Sequence, residues 1–223
     1  NRARKDAAME LTIAKVDDFE VTGNGEAGQW SKAEWQALKL VGKAKTGYAT
    51  RGKLLYSDKG IYFLFDSEDK KLTCTMFQDY QDIYREDVIE VFLWPNEAQD
   101  LYFEYEISPM GVELPILVPN HKGGFMGWRP WHYEGERQTR RATFVRGGPR
   151  SPMAAVEGWM AEFFIPFALL RGLGNTPPAK GSSWRANLYR IDYDSGEATQ
   201  WAWCEKTGAN FHDFRNFGAL RFG

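Results

Sequence analysis

The sequence predicts an all-β fold: an antiparallel two-sheet sandwich, immunoglobulin-like or jelly-roll-like, with very little helix. Three observations predict it. Short runs of β-branched and aromatic residues recur along the chain, and many alternate apolar with polar. Turn residues separate these runs, as in Gly23-Asn24-Gly25, Pro109-Met110-Gly111 and Asp194-Ser195-Gly196. Helical periodicity is confined to two short stretches.

Taken in order, strands are expected at 11–16, 35–41, 46–56, 60–66, 71–77, 87–94, 101–108, 112–118, 140–146, 159–165, 184–193, 199–205 and 217–222. About thirteen short, turn-bounded strands suit a sandwich or a barrel. One helical turn fits between Trp30 and Leu38. A short helix fits from Pro166 to Arg171, with proline at its start and Gly172 as its stop. No repeat or linker divides the chain. Residues 1–9, rich in charge, are expected to be flexible, and 10–223 to form one domain.

Composition narrows the function. Twenty-eight basic residues against 30 acidic ones give a formal net charge of −2, which argues against a nucleic-acid binder. No apolar run reaches the roughly 18 residues that cross a bilayer. Nine Trp, 10 Tyr and 15 Phe supply much of a β core, and this many Trp also suits stacking on flat ligands. Cys74 and Cys204 fit either one bridge or two free buried thiols. His121, His132 and His212 lack metalloprotease spacing. A chain opening on Asn1 is expected to have lost a signal peptide, and so to be secreted, periplasmic or on the cell surface.

Alternation sets the faces. In 101–108, Leu101, Phe103, Tyr105 and Ile107 share one face, and Tyr102, Glu104, Glu106 and Ser108 the other. Glu90 lies on a face with Val88 and Phe92, Glu162 with Met160 and Phe164, and Asn187 with Arg185, Tyr189 and Ile191. A carboxylate on an apolar face costs several kcal/mol unless a partner, a cation or a ligand meets it. The segment 121–133 does not alternate, and it carries Phe125, Trp128, Trp131 and Tyr133. It either extends a binding face through Trp128, Trp131 or Tyr133 or packs as a flap on a sheet edge. Asp66, Glu68 and Asp69 form an oxygen-rich strand end, followed by Asp79 and Asp82. They read as a calcium site or as a solvated acidic turn.

Several stretches carry a resemblance: Tyr84-Arg-Glu-Asp87-Val-Ile-Glu90-Val-Phe, Tyr102-Phe-Glu-Tyr-Glu106, Gly158-Trp-Met-Ala-Glu162-Phe-Phe-Ile-Pro166, Trp184-Arg-Ala-Asn187, and Phe211-His-Asp-Phe-Arg-Asn-Phe217-Gly218. With Gly60-Ile-Tyr-Phe-Leu-Phe-Asp66 upstream, their order and spacing resemble the family 9 carbohydrate-binding modules over about residues 35–222. The resemblance implies a sugar-binding β-sandwich, often selective for polysaccharide chain ends, with structural calcium, found beside secreted glycan-degrading enzymes. It aligns the family's two sugar-clamping aromatics with Tyr84 and Phe211 and a hydroxyl-binding Glu with Glu90. Tyr and Phe stand where the family has Trp, and Glu106 stands where it has Arg.

Sugars need aromatic platforms for their C–H faces and fixed polar partners for their hydroxyls. Tyr84 and Phe211 could be those platforms or ordinary rim aromatics, and Glu90 a hydroxyl acceptor or a paired structural acid. The expected ligand is a neutral glycan bound by a monomer without catalysis or organic cofactor. The alternative is a glycoside hydrolase using two of Glu90, Glu104, Glu106 and Glu162, since Glu104 and Glu106 lie about 6.6 Å apart along one strand face.

Overall fold

The computed structural model describes residues 9–205 and 210–223. Residues 1–8, most of the stretch expected to be flexible, lie outside the described part. Met9 is held, its carbonyl accepting from the Ala219 amide at 2.8 Å.

Fifteen strands form: β1 (Glu10–Lys15), β2 (Gln36–Ala37), β3 (Lys39–Val41), β4 (Thr50–Tyr56), β5 (Gly60–Glu68), β6 (Val88–Trp94), β7 (Leu101–Ile107), β8 (Glu113–His121), β9 (Gly124–Phe125), β10 (Arg129–Pro130), β11 (Arg140–Arg146), β12 (Gly158–Pro166), β13 (Ser183–Asp192), β14 (Thr199–Ala202) and β15 (Gly218–Phe222). One sheet runs β10-β8-β7-β6-β13-β15-β1 and the other β1-β4-β5-β12-β11. β15 and β14 share one side of β13, pairing with its first and second halves. β1 belongs to both sheets, and its pairings with β15 and β4 are parallel. The sandwich is therefore mixed rather than purely antiparallel. All other ladders are antiparallel.

The alternation that predicts the strands also builds the layers. Ile89, Val91 and Leu93 of β6 and Phe103, Tyr105 and Ile107 of β7 face Phe63, Phe65, Trp159 and Phe163 of the opposite sheet. Tyr105 and Phe163 meet across the gap with centroids 4.7 Å apart. The other sides of β6, β7, β8 and β13 carry a second apolar layer of Phe92, Tyr102, Ile116 and Tyr189, covered by Ile83 and by Phe211, Phe214 and Phe217. A third, with Tyr62, Leu64 and Phe164, lies under Phe19 and Trp30 on the far face of the other sheet.

Among the described residues helix is limited to short 3-10 turns, including Gly28–Lys32 and Phe167–Leu170, the latter following Pro166 as expected. Gly172 takes a φ of 97° beyond it. The expected strand 71–77 does not form; it makes one isolated bridge, Lys71 with Ala155. Side-chain carboxylates take several of its amides instead, while Leu72 and Cys74 donate to the Ala154 and Leu72 carbonyls. Thr73 donates to Asp87 Oδ2 at 2.6 Å, and Thr75 and Met76 donate to Glu86 Oε2 at 2.7 and 3.1 Å. Leu72 and Cys74 are buried, so the alternation is real without a ladder. Among the described residues no helix is long and apolar enough to cross a membrane.

Candidate functional site

A cavity of about 260 Å³ opens on the outer face of the sheet that holds β6 and β7. Its floor follows from register. Glu90 stands opposite Glu106, and Phe92 opposite Glu104, across the β6–β7 ladder. All four side chains point away from the inter-sheet core because their neighbours in sequence point into it. The three carboxylates each offer an oxygen within 4.8 Å of the others. They are 2%, 3% and 1% exposed for Glu90, Glu104 and Glu106. Glu104 Oε2 and Glu106 Oε2 have no hydrogen-bond partner. No Lys or Arg among the described residues lines the cavity.

Burial and mutual repulsion decide the charge of this trio. Desolvation, then the neighbouring acids, holds Glu90 and Glu106 well above the usual carboxylate range, and desolvation pushes Glu104 up to about 8. His212 supplies no counter-charge at neutral pH, because burial lowers it to about 4. Its Nδ1 lies 2.6 Å from the Tyr102 hydroxyl and 3.9 Å from Glu104 Oε2.

Aromatic rings form the walls. Tyr84 and Trp128 meet edge to face at 6.5 Å, and Phe125 stacks on His212 at 4.2 Å. Phe211 lines the cavity but is 7% exposed, stacked on Tyr189 at 4.0 Å and 13°. It is thus as much a packing residue as a wall. Phe125 and Trp128 are the exposed rings, at 45% and 36%.

Five residues read from the sequence as ligand contacts converge here: Tyr84, Glu90, Glu106, Phe211 and Trp128. Trp131 does not. Its indole donates to the Leu169 carbonyl at 2.8 Å, and its ring packs against the main core under Arg137. The segment 121–133 therefore divides, with Trp128 on the cavity and Trp131 as the flap's anchor. Sequence reasoning missed Phe125 and His212 as lining residues, and it considered Glu104 only as an acid of a hydrolase. Glu104 carried a signal all the same, sharing a strand face with Glu106; a lone His in a loop carried none.

The acids chosen for calcium do not stay together. Asp66 is paired with Arg51 at 2.9 Å and Arg146 at 2.6 Å. Glu68 is exposed and accepts from the Ala49 amide. Only Asp69 turns inward, joining Asp87, Asp192 and Asp194, whose carboxylate oxygens gather within 4.8 Å. Arg190, wholly buried, donates to Asp69 Oδ2 at 3.1 Å and Asp192 Oδ2 at 2.9 Å. One guanidinium meets four carboxyls, and burial pushes Asp69 up to about 7 and Asp87 up to about 8. Cys74 and Cys204 are free and buried, so no bridge links them.

Known proteins give a consistent picture. A family model described as "Carbohydrate family 9 binding domain-like" matches residues 21–114. No curated protein matches the sequence. Among solved structures, a putative carbohydrate-binding protein from Bacteroides uniformis ATCC 8492 superposes with a TM-score of 0.76 at 17% identity, covering 97% of this chain and 100% of its own. A carbohydrate-binding module family 9 from Caldicellulosiruptor kristjanssonii in complex with cellotriose gives 0.66 at 16% identity, over 96% of this chain and 93% of its own. The glucose complex gives 0.67 at 16%, over 96% of each chain. In sequence over residues 21–114 and in fold over nearly its whole length, the chain is similar to the family 9 carbohydrate-binding modules.

Proposed function

We propose that the chain binds carbohydrate, without catalysis, in the cavity on the outer face of the β6–β7 sheet. The observation that carries this reading is a carboxylate floor walled by aromatic rings. Rings cover the C–H face of a pyranose, and carboxyl oxygens accept from its hydroxyls. The neighbours solved with cellotriose and glucose support a sugar as partner. The aromatic wall is Tyr84, Trp128 and Phe125, with Phe211 behind. Among the described residues no Lys or Arg lines the cavity to pair with a uronate carboxylate, which favours neutral glycans. A shallow cavity of this size buries little surface, so affinities of roughly micromolar to millimolar are expected.

The hydrolase alternative needs one ionised nucleophile beside a protonated acid. Burial raises all three acids here, which favours binding over bond cleavage. Calcium fits the chain away from the cavity. Asp69, Asp87, Asp192 and Asp194 would hold it, and the convergence of four carboxyls within 4.8 Å is the reason. There the ion would tie the loop after β5 to the ends of β6 and β13. An extracytoplasmic, monomeric module beside glycan-degrading enzymes is the setting this reading implies.

A glycan array with the purified chain, followed by titration calorimetry, tests the reading. Binding of neutral β-linked oligosaccharides without their hydrolysis is expected. Hydrolysis, or preference for uronate polymers, would overturn it.

A further inference from the structure

The carboxylate floor has more acceptors than a neutral sugar needs. Glu104 Oε2 and Glu106 Oε2 are buried, unpartnered and at the cavity base. Glu90 adds a third carboxyl within 4.8 Å. A sugar hydroxyl brings one donor, whereas a primary ammonium brings three and a positive charge. The walls point the same way. Tyr84, Phe125 and Trp128 present ring faces and edges around the mouth, and such rings attract an organic cation. Beside the three carboxyls and the side-chain amides of Gln200 and Asn210, the lining is largely apolar and aromatic, with Phe92, Ile116 and Ile191 among it, a surface that suits an organic cation better than a hydrated calcium ion.

We infer that, among non-acidic glycans, the cavity prefers an amino sugar whose free 2-ammonium group sits on the Glu90–Glu104–Glu106 floor. This rests on the carbohydrate-binding reading and refines its ligand class. A charge-assisted hydrogen bond from the ammonium offsets the desolvation, and the mutual repulsion, that hold these carboxyls above their usual range. Entry of the cation therefore releases up to about one proton from the floor. The groups that face it from neighbouring elements are Asp82, Tyr84, Tyr102, Tyr189, Tyr193 and His212. Of these, Asp82 adds negative charge, and His212 is neutral near neutrality.

Calorimetry on the full chain at about pH 6 compares three β-1,4-linked trisaccharides: fully deacetylated glucosamine, cellotriose and N-acetylglucosamine. The glucosamine trisaccharide should bind about tenfold tighter than cellotriose. Its apparent enthalpy should depend on buffer ionisation enthalpy, reporting proton release. Glu106→Gln, with folding checked by its melting curve, should shrink the ratio of the two affinities. Cellotriose or the acetylated sugar binding as tightly as the free amine would overturn the inference while leaving the carbohydrate-binding reading intact. Absence of binding by all three would overturn both. A calcium isotherm lost in Glu106→Gln would assign the floor to a metal and overturn the inference alone.

Discussion

Glu90 and Glu106 face each other across the β6–β7 ladder, both buried, with no described Lys or Arg beside them in the cavity. Two carboxylates so placed cannot both ionise cheaply, and Glu104, diagonal to the pair, adds a third.

The first consequence is a pH dependence of stability. The folded-state values are raised, so the folded chain holds more protons than the unfolded one above the ordinary glutamate range. The stabilising contribution is complete below about pH 4.5 and is lost as pH rises through the folded values, near 8 for Glu104. Melting temperature should fall between about pH 5 and 8, and Glu106→Gln should flatten that fall. A melting temperature rising over this range, unchanged by the substitution, would contradict it.

The rings separate into those that bind and those that pack. Trp128→Ala should weaken sugar binding about tenfold with the melting temperature unchanged, since the side chain is exposed. Phe211→Ala removes a buried ring stacked on Tyr189 and should also cost about 2–3 kcal/mol of stability by urea unfolding. Trp131→Ala should destabilise by loosening the flap and leave the sugar selectivity pattern as it is.

Calcium is expected to act on stability. If the Asp69–Asp87–Asp192–Asp194 cluster takes the ion only when folded, EDTA should lower the melting temperature by about 5 °C or more, reversibly. Asp192→Asn should remove the response. A curve indifferent to EDTA and calcium would leave the cluster to its pairing with Arg190.

Glu162 offers a control remote from the cavity. It accepts from the Trp30 indole at 2.8 Å through Oε1 and from the Thr22 and Gly23 amides at 2.9 and 2.7 Å through Oε2. Glu162→Ala leaves these donors unmet and should cost about 3 kcal/mol in urea unfolding. Sugar affinity of the folded variant should be unchanged.

Much of this was legible in the sequence, for identifiable reasons. Strand alternation is a local property, so β6, β7, β11 and β12 were readable within a residue or two. Glu162 was readable as an acid that needs a partner, but not that its partners would be a distant loop and Trp30. The 71–77 segment misled because burial alternates there while carboxylates take over the backbone bonding. Glu90 and Glu106 entered through motif order, whereas His212 and Phe125 reach the cavity only through long-range folding. Asp194 looked like ordinary turn punctuation, and Asp192 sat inside the strand expected at 184–193. Their meeting with Asp69 and Asp87 depends on which strand neighbours which, and no local pattern records that.

β1 also carries a kinetic consequence. Its partner β15 lies at the other end of the chain, with Ile13 opposite Phe222 and the Gly223 amide donating to the Ile13 carbonyl. During synthesis, one edge of β1 has no mate until β15, about 200 residues later in sequence, has been made. Closing so long a loop is slow, and the sheet seam stays open meanwhile. Completion of the sandwich is thus a late, cooperative event, and an exposed strand edge in the waiting chain is the point where assembly can go astray.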